Sequence, residues 1–107
     1  MSELKELILQ AKQKDLKAME ELFLKFRPLL KSQAKRYTRA GLEYEEVFQQ
    51  ASLLFILAVY DYQVKEDIPF AGYIKKRINW GLWMYYRKYL KQRIEISSGL
   101  KPEELPQ

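Results

Sequence analysis

Residues 44–62 read YEEVFQQASLLFILAVYDY, and the spacing within this stretch decides the fold. Val47, Ala51, Leu54, Phe55, Ala58 and Tyr62 recur at threes and fours, the period of one face of an α-helix. A second row falls on another face: Glu46, Gln49, Gln50, Leu53, Ile56, Leu57 and Tyr60. A helix with two apolar faces is either sandwiched in a core or kept for a partner. Burial explains Leu53, Leu57 and Tyr60 well. It explains Glu46, Gln49 and Gln50 less well, because buried polar groups need partners. A mixed row suits a docking surface, where apolar contacts supply area and polar groups set register.

The same period extends in both directions. Upstream, Leu4, Leu7, Ile8 and Ala11 make a short first helix, and Asp15 is a good N-cap for a second. That second helix carries Leu16, Met19, Leu22, Phe23, Phe26, Leu30, Ala34 and Tyr37 on one stripe. Pro28 lies inside it and is expected to kink or split it, and Ala40-Gly41 is the stop. Downstream, a polar loop from Gln63 to Asp67 leads through Ile68 and Pro69 into a last helix over about 69–92. Phe70, Ile74, Ile78, Leu82, Tyr85 or Tyr86, and Tyr89 should face the core there. Gly72 and Gly81 each weaken such a helix by about 1 kcal/mol relative to Ala. Close packing is a reason for Gly81, and close approach of a backbone is one for Gly72. The expected fold is all-α, a compact bundle of about four helices over 1–95, with 96–107 as a polar tail or linker.

Charge is distributed unevenly along this frame. Residues 71–93 hold seven basic side chains and no acid: Lys75, Lys76, Arg77, Arg87, Lys88, Lys91 and Arg93. Taking those seven from the nineteen lysines and arginines leaves twelve cations against all fourteen acids. The net charge of +5 is therefore read as coming from one segment. Tyr73, Trp80, Trp83, Tyr85, Tyr86 and Tyr89 are threaded among its cations. Cations hold phosphates while rings stack unpaired bases, so this composition points to nucleic acid. The plainer alternative is a solvated cationic helix whose rings fill the core. Two facts weigh against it. Like charges over five to six turns repel unless a polyanion arrives, and Trp80 cannot easily share the Phe70–Ile74–Ile78 stripe.

Other classes find little support. The chain has no Cys and no His, hence no disulfide framework, no thiolate metal site, and neither the commonest general base nor the commonest zinc ligand. With no phosphate-cradling glycine loop either, no enzyme and no cofactor are expected. The longest apolar run, Leu53 to Tyr60, is eight residues, too short for a bilayer. Met-Ser-Glu-Leu-Lys-Glu at the N-terminus is not a signal peptide, so a soluble, cytoplasmic protein without a membrane partner is expected.

Three blocks in order carry a resemblance. The stretch from Glu46 to Tyr62 resembles the second conserved region of bacterial sigma-70-family factors. There an acid, two apolar residues and a Gln-Glu-type pair lead into an apolar run. Phe70-Ala-Gly-Tyr73-Ile74 is similar to that family's segment leading into the promoter-reading helix. Asp15, Ala18, Leu22, Phe26, Pro28 and Leu30 resemble its opening block, so the likeness covers roughly residues 4–93. The resemblance implies a transcription initiation domain that docks on core RNA polymerase and recognises and melts the promoter −10 element. By position, Glu46, Gln49, Gln50, Leu53 and Ile56 would contact the coiled coil of the largest catalytic polymerase subunit. Phe70 and Tyr73 would shape a pocket for a flipped base of the non-template strand. Lys76, Arg77 and Trp80 would lie where duplex meets single strand, and Arg87, Lys88 and Lys91 would hold phosphates. Lys75 and Trp83 complete the candidate DNA-contacting set.

Departures shape that expectation. Housekeeping factors place paired tryptophans where Lys76 and Arg77 stand, so melting should be weaker or rely on Trp80 and Trp83, as in extracytoplasmic-function-type or phage-like relatives. Gln50 replaces the usual acid. Nothing after Lys101 could be a second DNA-binding domain, so the chain is expected to be a fragment or one piece of a two-piece factor. A separate region 4-like protein or an inhibitor would then be further partners. Two rivals are a duplex-binding helical regulator of a mobile element and a protein-interaction module without DNA. The long, ring-rich last helix disfavours the first.

Overall fold

Asp15 accepts hydrogen bonds from the Lys17 and Ala18 amides at 3.1 and 3.2 Å, and a helix starts there. Lys14, at φ 69°, turns the chain just before it. The computed structural model describes residues 3–65 and 67–99. Four helices make up the fold: α1 (Glu3–Lys12), α2 (Leu16–Thr38), α3 (Tyr44–Asp61) and α4 (Phe70–Ser98). The all-helical expectation holds.

α3 is the central element and packs on α1, α2 and α4. Its buried face is Val47, Ala51, Phe55, Ala58 and Val59. Phe55 is fully buried, with the Phe23 and Phe26 rings 5.9 and 5.7 Å away. The ring contacts continue outward. Phe26 meets Phe70 at 5.3 Å, Phe70 meets Tyr62 at 4.9 Å, and Tyr62 meets Tyr73 at 5.2 Å. Such pairs add about 0.5–1.5 kcal/mol each beyond their buried area. They run from the centre of the core to the start of α4. The Lys12 ammonium donates to the Tyr60 and Val59 carbonyls at 2.6 and 3.4 Å, placing a cation on the C-terminal end of α3.

Three expectations need correction. Pro28 neither ends nor splits α2, which is one continuous helix. The proline and Leu24, whose carbonyl loses its partner, are both exposed, so water can satisfy that carbonyl. The spacing predicts Leu54 as core and passes over Val59, whereas Val59 is fully buried and Leu54 only partly so. Finally, α4 runs on to Ser98, where Gly99 in the left-handed region (φ 75°) donates its amide to the Glu95 carbonyl at 2.8 Å. Past Leu82 no described residue of α4 is buried, so its last third leaves the bundle. The expected tail after residue 99 lies outside the described residues.

Leu54 packs instead against α4. A Cβ built on Gly81 would sit 2.6 Å from both of its δ-carbons, so the two helices touch where α4 has no side chain.

Candidate nucleic-acid interface

Two separate surfaces are candidates for contact, one on α4 and one on α3. The first lies over the opening turns of α4. Ile68, Pro69, Gly72, Tyr73, Lys76, Arg77 and Trp80 line a recess of about 460 Å³. Pro69 fixes the approach to the helix, and the Tyr62 hydroxyl donates to the Ile68 carbonyl, tying the loop to the end of α3. Trp80 is 65% exposed, too much for a core residue. Lys76 is exposed beside it. Apolar walls, one free indole and flanking cations form a shape that accepts a flat, anionic ligand.

Tyr73 is held from two sides. Arg77 donates to its hydroxyl at 2.7 Å, and the Tyr62 ring packs against its other side at 5.2 Å. The second Arg77 nitrogen pairs with Asp61, the last residue of α3, at 3.0 Å. The basic segment is therefore not acid-free in space. A half-exposed pair of this kind contributes little stability. Its effect is to aim Arg77 at Tyr73 rather than into solvent.

The candidate DNA-contacting residues do not all come together. Tyr73, Lys76, Arg77 and Trp80 share the recess. Phe70 does not join them: it is 5% exposed, packed between Phe26 and Tyr62, and cannot touch a ligand directly. Lys75 is exposed but does not line the recess. Trp83, 45% exposed, continues the ringed face and leans on Tyr86 at 6.1 Å. Arg87 and Lys91 are partly exposed further along the helix. Lys88 points elsewhere, into a groove of about 630 Å³ shared with Glu46, Gln50, Tyr85 and Tyr89. The recess also takes in Ile68, Pro69 and Gly72, with Asp61 behind it, none of them among the candidate site residues. The sequence signals Pro69 as a helix start and Gly72 as a place of close backbone approach, and gives no sign of Ile68 or Asp61.

Nothing in the protein approaches within 4 Å of a Cβ at Gly72. Gly72→Ala is accordingly expected to stabilise the fold by about 0.5–1 kcal/mol, through the lower entropy of the unfolded chain. Urea titration checks this. Gly72→Leu should fill the recess and weaken single-strand binding without loss of stability.

The second surface is the outer row of α3. Glu46 and Gln49 are exposed, Leu53 is 51% exposed, and Leu57 and Tyr60 continue the row. Gln50 and Ile56 are half-buried, and Ile56 packs on the core. The Tyr85 hydroxyl donates to Glu46 Oε1 at 2.5 Å, so α4 already holds one member of the row. Burial, and then that bond, push the Tyr85 hydroxyl up to about 12. A raised tyrosine pKa stabilises the fold below pH 10 and loses that contribution as pH rises through about 12. The melting-temperature gap between the wild type and Tyr85→Phe should therefore hold below pH 10 and close by about pH 12.

The sequence model of the Sigma-70 region 2 family matches residues 22–93, well over half of the 107-residue chain. The chain belongs to the sigma-70 region 2 family. The matched span begins within α2 and ends within α4, so it contains both surfaces. No curated protein and no solved structure gives a significant match. Membership supports a sigma-factor-like role in transcription initiation, with core RNA polymerase and promoter DNA as the implied partners of this sigma-70 region 2 domain. Domains of this family are not enzymes. No helix among the described residues is long and apolar enough to cross a membrane.

Proposed function

We propose that this sigma-70 region 2 domain docks on core RNA polymerase through the outer row of α3 and captures the non-template strand of the promoter −10 element on α4. One observation carries the reading. An exposed indole, Trp80, stands with Lys76 and Arg77 at an apolar recess, while a separate exposed apolar row occupies α3. Tyr73, braced by Arg77, forms a wall for a flipped base, and Phe70 supports that wall from within. Trp83, Arg87 and Lys91 extend the path for the strand. Lys88 belongs with the α3 side of the helix.

The domain works by preferring the splayed strand over the duplex, which shifts the equilibrium once polymerase holds it in place. Flipping a base costs a few kcal/mol, and a stacking contact returns about 1–3 kcal/mol. A recess of this size therefore captures one base but does not melt a promoter unaided. Fluorescence anisotropy with matched oligonucleotides tests the preference. Single-stranded promoter DNA should bind more tightly than its duplex, and more tightly still with polymerase present. Stronger binding to the duplex overturns the reading. On the docking side, Gln49→Ala combined with Leu53→Ala should abolish co-purification with core polymerase.

A further inference from the structure

From Leu22 to Leu42 the sequence holds six cations, Lys25, Arg27, Lys31, Lys35, Arg36 and Arg39, and no acid. Four of them gather on the outer side of α2. Lys31, Lys35, Arg36 and Arg39 line a recess of about 560 Å³ with Pro28 and Ser32, and all six of these residues are exposed. None of the four cations pairs with a carboxylate; the ion pair among the described residues is Arg77 with Asp61. Lys31, Lys35 and Arg39 are spaced one turn apart, so their Cβ atoms are neighbours about 5–6 Å apart and the like charges repel. The helix dipole favours cations in the last turn and accounts in part for Lys35 and Arg36. It does not reach Lys31, nor does it shape a recess.

We infer that this ridge is a second DNA site, one that holds the sugar-phosphate backbone of intact duplex next to the opened strand. The chemistry of the lining selects that ligand. It offers cations and the Ser32 hydroxyl but no ring, so it can grip phosphates and cannot stack bases. The α4 face carries rings and suits an unpaired strand. An aromatic seam joins the two regions: Trp83 meets Tyr86 at 6.1 Å, and Tyr86 meets Tyr37 on the last turns of α2 at 5.4 Å. A fork, part duplex and part single strand, can then engage both sites, each raising the local concentration of DNA at the other. The inference rests on the promoter-binding reading of α4 for the identity of the polyanion.

The test uses the full chain and three probes: a single strand, its duplex, and a fork containing both. The triple variant Lys31→Gln/Lys35→Gln/Arg39→Gln is compared with the wild type over a salt series. Fork affinity should fall by at least about tenfold at low salt, and its salt slope should drop by about 0.9 for each phosphate released. Single-strand affinity should stay within about twofold of the wild type, since stacking carries it. A second triple, Lys14→Gln/Lys17→Gln/Lys65→Gln, removes equal charge elsewhere and should leave the fork bound. The swap Lys31→Arg/Lys35→Arg/Arg39→Lys should retain wild-type binding. An unchanged fork affinity in the first triple overturns the inference, as does an equal loss for single strand and fork, or an equal loss in the second triple. Loss of the wild type's preference for the single strand, with duplex binding still sensitive to the ridge, instead refutes the α4 reading alone.

Discussion

Replacing Trp80 with alanine is expected to lower open-complex formation by roughly five- to a hundredfold, while core polymerase still co-purifies with the variant. The magnitude follows from one lost stacking contact of about 1–3 kcal/mol, at about 1.4 kcal/mol per factor of ten. Trp80 is 65% exposed, so truncating it leaves the core untouched and should shift the urea midpoint very little. Tyr73→Ala should act in the same direction, because it removes a wall of the recess and leaves Arg77 with Asp61 alone. Permanganate footprinting of the promoter reads the opening step. Lost docking with normal opening would mean that the two surfaces have exchanged roles.

Phe55→Ala should have the opposite profile. It is the largest fully buried side chain, and deleting a buried phenylalanine costs about 3–5 kcal/mol. A domain of this kind has only about 5–15 kcal/mol in total. Its loss also breaks the row of ring contacts at Phe23 and Phe26. Urea unfolding followed by circular dichroism should show a midpoint displaced far below that of Trp80→Ala. A shift of similar size in the two variants would contradict the packing described for α3.

Much of this was legible from residue spacing, for reasons that can be stated. The helix period placed the starts of α1 to α3 closely, and Asp15 and Gly41 marked where the chain turns. The outer row of α3 was recognisable because polar and apolar residues alternate on a face that the core stripe leaves open. What escaped depended on contacts between elements. Asp61 reaches Arg77 only because the 62–69 connection folds α4 back beside the end of α3. Leu54 packs where Gly81 of α4 has no side chain, a contact between helices that spacing within α3 does not show. Phe70 sits at a helix start, where period alone does not say which way a ring turns. The end of α4 was set too early because its apolar spacing fades after Tyr89, although no strong breaker occurs before Gly99. The ridge on α2 is masked in the overall charge balance, because acids elsewhere in the chain offset its cations.

Gly81 stands next to Trp80 in the chain and against Leu54 of α3 in space. The helix proposed to dock on polymerase and the helix proposed to hold the non-template strand thus mesh like gear teeth at this point. A single methyl at position 81 would push the Leu54 side chain out of its place, a disturbance that begins beside Trp80 although the added atom lies on neither proposed surface.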